Sequence, residues 1–118
     1  METAMRKTGK IDYLELPSSD GQGSRQFFAE AFGWEHINYG EGYDGIAGAG
    51  IDAGVDSSPE RVAAPLPVIR TGDLDAAEAS VRAAGGAITR PQFDFPGGRR
   101  FHFREPGGTE MAVYVERS

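Results

Sequence analysis

From Lys10 to Pro17, KIDYLELP, Leu14 and Leu16 fall on one side of an extended chain and Ile11, Tyr13 and Glu15 on the other, which predicts a strand with one face in a core. The period then changes. In RQFFAEAFGW, Phe28 and Phe32 stand at i, i+4 and Phe27 and Ala31 repeat that spacing beside them, predicting a helix with a wide apolar stripe that lies on a sheet. Ser19, Asp20 and Ser24 are candidate N-caps, and Gly33 stands where a left-handed residue would end the helix. WEHINY resumes as a strand. The glycine-rich GEGYDGIAGAGIDAGVDSSPE then predicts short strands joined by turns around Gly42 and Gly45.

The second half repeats the first in outline. LPVIRT predicts a strand, Asp73 an N-cap, and Leu74, Ala77, Val81 and Ala84 the inner stripe of a helix that ends at Gly85-Gly86. AITRPQF predicts another strand, and two Pro-Gly-Gly turns, at 96–98 and 106–108, separate the last two strands. Residues 56–64 have linker composition, so the chain divides into a flexible N-terminus over 1–9, a first module over 10–55 and a second over 65–118. Each module is strand, helix, then three strands, an α+β arrangement.

Composition narrows the functions open to such a fold. The 118 residues suffice for a real core. The net charge of −6 removes the long-range attraction to phosphate that nucleic-acid binders use, so no nucleic-acid partner is expected. The longest apolar runs are a few residues, short of the ~20 needed to span a bilayer, so no membrane partner is expected either. The leader METAMRKTGK has no apolar core and is not a secretory signal. Without cysteine there are no disulfides, thiolate metal sites or cysteine nucleophiles, which suits a reducing cytoplasm.

LELPSSD into RQFFAEAFGW, then TGDLDAAEASVRAAGGAI and REPGGTEMAVYVE, taken in that order and spacing over residues 10–117, resemble the vicinal oxygen chelate superfamily, the glyoxalase, bleomycin-resistance and extradiol-dioxygenase group. The resemblance implies two βαβββ modules forming a cupped eight-stranded mixed sheet, helices on the convex side and the active site in the concavity. It also implies one divalent ion held by four side chains, from the first, fourth, fifth and eighth strands. Counting from the motifs, three of these positions carry Tyr13, Leu66 and Ala112, and the only acids near the fourth are Asp44 and Asp52. One carboxylate cannot hold a divalent ion against its hydration. No metal site and no cofactor are therefore expected, with a divalent metal the less favoured reading. An ion site built from His36, His102 and scattered acids has no paired spacing to support it.

If Tyr13, Leu66 and Ala112 face the concavity, alternation adds Glu15, Val68, Arg70, Glu110 and Tyr114, and the seventh strand adds Arg100 and His102 while Phe101 and Phe103 turn to the helix. Such a lining suits a semi-polar or aromatic small molecule. Glu15, His102 and Glu110 are the residue types that move protons without a metal and are the candidate catalytic groups. The leading expectation is a metal-free binding protein of the bleomycin-resistance kind. The alternative is a lyase, isomerase or dioxygenase of the superfamily, and the third reading is a module with no ligand. GAGIDAG fits no nucleotide-binding spacing, and of the basic cluster Arg99, Arg100 and Arg104 only alternate members can share a face. Sheet edges to be covered, together with the resemblance, lead to an expected homodimer.

Overall fold

The computed structural model describes residues 8–117. Eight strands form one open mixed sheet, in the order β2-β3-β4-β1-β5-β8-β7-β6. In chain order these are β1 (Ile11–Pro17), α1 (Gly21–Phe32), β2 (Glu35–Asn38), β3 (Tyr43–Ala47), β4 (Asp52–Asp56), β5 (Leu66–Arg70), α2 (Leu74–Ala83), β6 (Ala87–Phe95), β7 (Gly98–Arg104) and β8 (Glu110–Glu116). The expected duplication is visible in the order itself, since β2-β3-β4-β1 is matched by β6-β7-β8-β5. In each set the first strand runs parallel to the last, β1 with β4 and β5 with β8, and the other pairs are antiparallel.

The chain forms two compact units. The N-terminal unit is Tyr13–Leu66, and the C-terminal unit comprises the chain from Pro67 onward with the described residues up to Asp12. The expected flexible end over residues 1–9 lies outside the described residues except for Thr8 and Gly9. Gly9 donates its N–H to the Arg70 carbonyl at 2.7 Å.

In the N-terminal unit, Asp20 is the N-cap of α1, its carboxylate accepting from the Gly23 N–H, and Gly33 ends the helix at φ 77°. Ile46, Ala53 and Val55 form the core, with Leu14, Phe28 and Trp34 packed against it. Two expectations fail here. The wide stripe of α1 is not buried: no residue of the helix is, and Phe27 and Phe32 are 59% and 62% exposed. A helix lying on a sheet covers a narrow seam, and Phe28 occupies it; Phe27 and Phe32 pack edge-on to each other at 6.2 Å, and Phe32 lies at 5.4 Å from Trp34. Gly45, expected at a turn, is the middle of β3 and pairs with Gly54 of β4. The turn between these strands instead uses Gly48 and Gly50, at φ 92° and 93°.

In the C-terminal unit, Asp73 caps α2 by accepting from the Ala76 N–H. Leu74, Phe101, Phe103 and Val113 are the core, joined by Ile69, Ala77, Val81 and Met111. The helix side of the sheet therefore takes the two phenylalanines of β7, as alternation required. Strand β6 is longer than AITRPQF and contains Pro91, which an edge strand tolerates because its outer side has no ladder partner to lose. No helix among the described residues is long and apolar enough to cross a membrane.

Candidate functional site

The face of the C-terminal unit turned away from α2 collects Val68, Arg70, Arg100, His102, Glu110, Ala112 and Tyr114. Their registers are direct: Val68 pairs with Ala112, Arg70 with Tyr114, and on the other side of β8 Ala112 pairs with His102 and Tyr114 with Arg100. Every candidate residue expected from β5, β7 and β8 beyond Leu66 is thus brought onto one surface. Tyr13, Glu15 and Leu66 belong to the N-terminal unit.

His102 sits at the centre of this face and is only 2% exposed. Its Nε2 accepts from the Arg100 guanidinium, at 2.9 Å from Nη2 and 3.3 Å from Nε. Because a guanidinium can only donate, the imidazole is neutral and carries its proton on Nδ1, which faces the Glu110 Oε2 at 3.7 Å. Burial first, and the Arg100 charge second, push His102 down to about 4, against the opposing pull of Glu110. Glu110 is held in turn by a 2.8 Å hydrogen bond from Thr89 and by Arg104 at 3.6 Å. Tyr114 donates to the Asp12 carboxylate at 3.0 Å, and Arg70 pairs with Glu116 at 2.7 Å. Arg99, the alternate member of the basic cluster, pairs with Asp94 at 2.8 Å.

Aromatic rings border these polar groups. Phe93 meets His102 edge-on at 5.6 Å, and Phe95 meets Tyr114 at 6.4 Å. The Arg90 guanidinium lies 3.8 Å over the Phe93 ring. Sequence reasoning missed Arg90, Phe93 and Phe95 as members of this face. Phe93 and Phe95 alternate with Gln92 and Asp94 and so share a side, but two register shifts, between Ile88 and Arg90 and between Arg90 and Phe93, decide which side it is.

In the N-terminal unit the corresponding face is filled by its own tyrosines. The hydroxyls of Tyr13 and Tyr43 hydrogen-bond to each other over Gly54, where any Cβ would collide with both. The Tyr39 ring covers Gly45 in the same way. Glu15 is buried at 4% exposure on β1, opposite Gly54. Of the two acids considered for a fourth metal position, Asp44 turns to the helix side and pairs with Arg25 at 3.3 Å, while Asp52 is exposed and pairs in register with Tyr13. His36 lies exposed on β2, and His102 belongs to the other unit.

A family model described as Glyoxalase/Bleomycin resistance protein/Dioxygenase superfamily matches residues 10–113. Among curated proteins, none matches the chain. Solved structures share the fold. A glyoxalase/bleomycin resistance protein/dioxygenase superfamily member from Vibrio splendidus 12B01 superimposes with a TM-score of 0.72 at 16% identity, over 88% of this chain and 97% of that one. The Mn(II)-bound glyoxalase from Novosphingobium aromaticivorans gives 0.68 at 21% identity, over 95% of this chain but 42% of that one. Methylmalonyl-CoA epimerase from Mycobacterium tuberculosis gives 0.64 at 16% identity, over 97% and 94%. At these identities the likeness is one of fold.

A divalent metal occurs within this group of folds, so the residues here bear on whether one fits. Leu66 and Ala112 offer no donor atom, and among the described residues no three His, Asp or Glu side chains lie close enough together to hold an ion. The positions that would carry a metal do not suit one.

Proposed function

The chain belongs to the glyoxalase/bleomycin resistance protein/dioxygenase superfamily, and from that premise we propose that it binds a small semi-polar or aromatic molecule on the open face of its sheet, without the family metal, in the manner of a bleomycin-resistance protein. The observation that carries this reading is the makeup of the face around His102: donor-less Val68 and Ala112 at the centre, aromatic rings at the border, and a few polar groups fixed by their neighbours, His102 by Arg100 and Glu110 by Thr89. A surface of apolar ground with a few fixed polar groups orients an organic ligand, and its donor-less Val68 and Ala112 give a cation no ligand at the centre. The absence of cysteine suits work in a reducing cytoplasm.

A thermal-shift screen of chelator-treated protein tests it, with divalent metals on one side and aromatic and antibiotic-like molecules on the other. An organic ligand at a hundredfold its Kd should add about 2.7 kcal/mol, a rise of several degrees in Tm. Stabilisation by metal alone sinks the proposal.

The second reading, an enzyme, is favoured by the Glu110–His102 approach of 3.7 Å and by the enzymes among proteins of this fold. In that reading Glu15, His102 and Glu110 are the proton-handling groups. His102 would first have to exchange its Arg100 hydrogen bond for substrate, because its Nε2 lone pair is already engaged.

A further inference from the structure

Strand β6 shows what kind of molecule the face recognises. Ile88 pairs with Phe103 and points to the helix, and regular alternation from there would turn Arg90 to the helix as well. The first register shift instead sets Arg90 opposite His102, and the second sets Phe93 opposite Arg100. Both extra residues act in the same sense, bringing a cation and then a ring onto the face that already holds His102 and Tyr114. Bulges of this kind re-aim side chains next to functional sites.

Arg90 is exposed and, among the described residues, forms no ion pair. Its guanidinium lies against the Phe93 ring, 3.8 Å from the centroid. Contact with an aromatic face immobilises the guanidinium but uses none of its five N–H groups, which remain in its plane as a fork matched to a carboxylate. Phe93 and Phe95 are partly buried on the same face, Phe93 against His102 and Phe95 against Tyr114.

We propose that this face takes a planar aromatic carboxylate, its ring packed beside Phe93 and Phe95 and its carboxylate held by the in-plane N–H fork of Arg90. The proposal rests on the reading of the open face as a ligand site and gives that ligand a charge and a shape. Neither half of the recognition suffices: an exposed Arg–carboxylate pair contributes little by itself, and a ring edge alone does not select among apolar molecules.

Isothermal titration calorimetry of the full chain with three probes tests it: 2-naphthoate, its neutral counterpart 2-naphthamide, and cyclohexanecarboxylate, which keeps the charge without the aromatic plane. Naphthoate should bind on the order of tenfold more tightly than either control, and Arg90→Gln should remove its preference over naphthamide while its preference over cyclohexanecarboxylate, which rests on the ring, persists. Arg90→Lys, which keeps the charge and loses the fork, should fall between the two. Because the Arg90 side chain is exposed, both variants should fold, which their circular dichroism checks. Equal binding of naphthoate and naphthamide overturns the proposed charge while leaving an aromatic site in place. Undiminished naphthoate binding by Arg90→Gln overturns the role of Arg90. If none of the three probes binds, the proposed ligand class is wrong, and the thermal-shift screen separately shows whether the protein binds organic molecules at all.

Discussion

His102 illustrates how one buried side chain couples this fold to pH. Its folded value lies at about 4, below the ordinary 6.5, so between those values the unfolded chain holds a proton that the folded chain does not. Stability from the neutral imidazole is therefore present above pH 6.5 and lost as the pH falls toward 4, after which the contribution changes no further. The loss amounts to at most roughly 3 kcal/mol. His102→Gln should be less stable at pH 7 and should flatten the decline between pH 6.5 and 5 in urea unfolding; an unchanged slope would show that other groups set it. The presence of His102 on the ligand face follows from strand alternation alone. Its charge state does not, because that depends on Arg100 standing two residues away on the same face and on how completely the ring is covered. Glycine is informative for the same reason: the sequence around Gly54 marks a weak strand, yet its use is to leave room for the hydroxyls of Tyr13 and Tyr43, which are brought together by pairing across the sheet.

Helix α1 is defined at both ends by residues whose chemistry is local, and its limits were accordingly readable. Gly33, at φ 77° with no atom within 4 Å of where a Cβ would stand, is required for its backbone and not for space. Gly33→Ala should cost about 1 kcal/mol in chemical denaturation, and Gly33→Asn less, since asparagine visits the left-handed region more readily. Equal losses for both would mean that the site responds to bulk. The turn between β7 and β8 is another local device. The Glu105 carboxylate accepts from the Gly107 and Thr109 N–H groups at 2.8 Å each, and these bonds hold Glu105 below the usual carboxylate range, Thr109 contributing most. Strand β6 behaves differently. Its two register shifts answer to the partner strand β7, so the residues it offers to the ligand face had no signature in their own spacing.

The whole molecule carries its duplication openly, strand for strand, and a net charge of −6. It also exposes Phe27, Phe32 and Ile37, the last on the edge strand β2 at 48% exposure. An uncovered strand edge beside exposed aromatic rings is a surface for association, and the expected partner is a second copy of the chain. Light scattering at micromolar concentration should give twice the monomer mass, and Phe32→Glu should return it to one chain; a monomer at all concentrations would refute the dimer. Periodicity, caps and turn residues act between neighbours in the chain, so element order, helix limits and the duplicated α+β plan were all legible in the sequence. The register of β6, the exposure of Phe27 and Phe32, the proton on His102 and the tyrosines over Gly54 were decided only by folding. Each depends on groups far apart in the chain meeting across a sheet or helix face, and no local pattern encodes the free energy of that meeting.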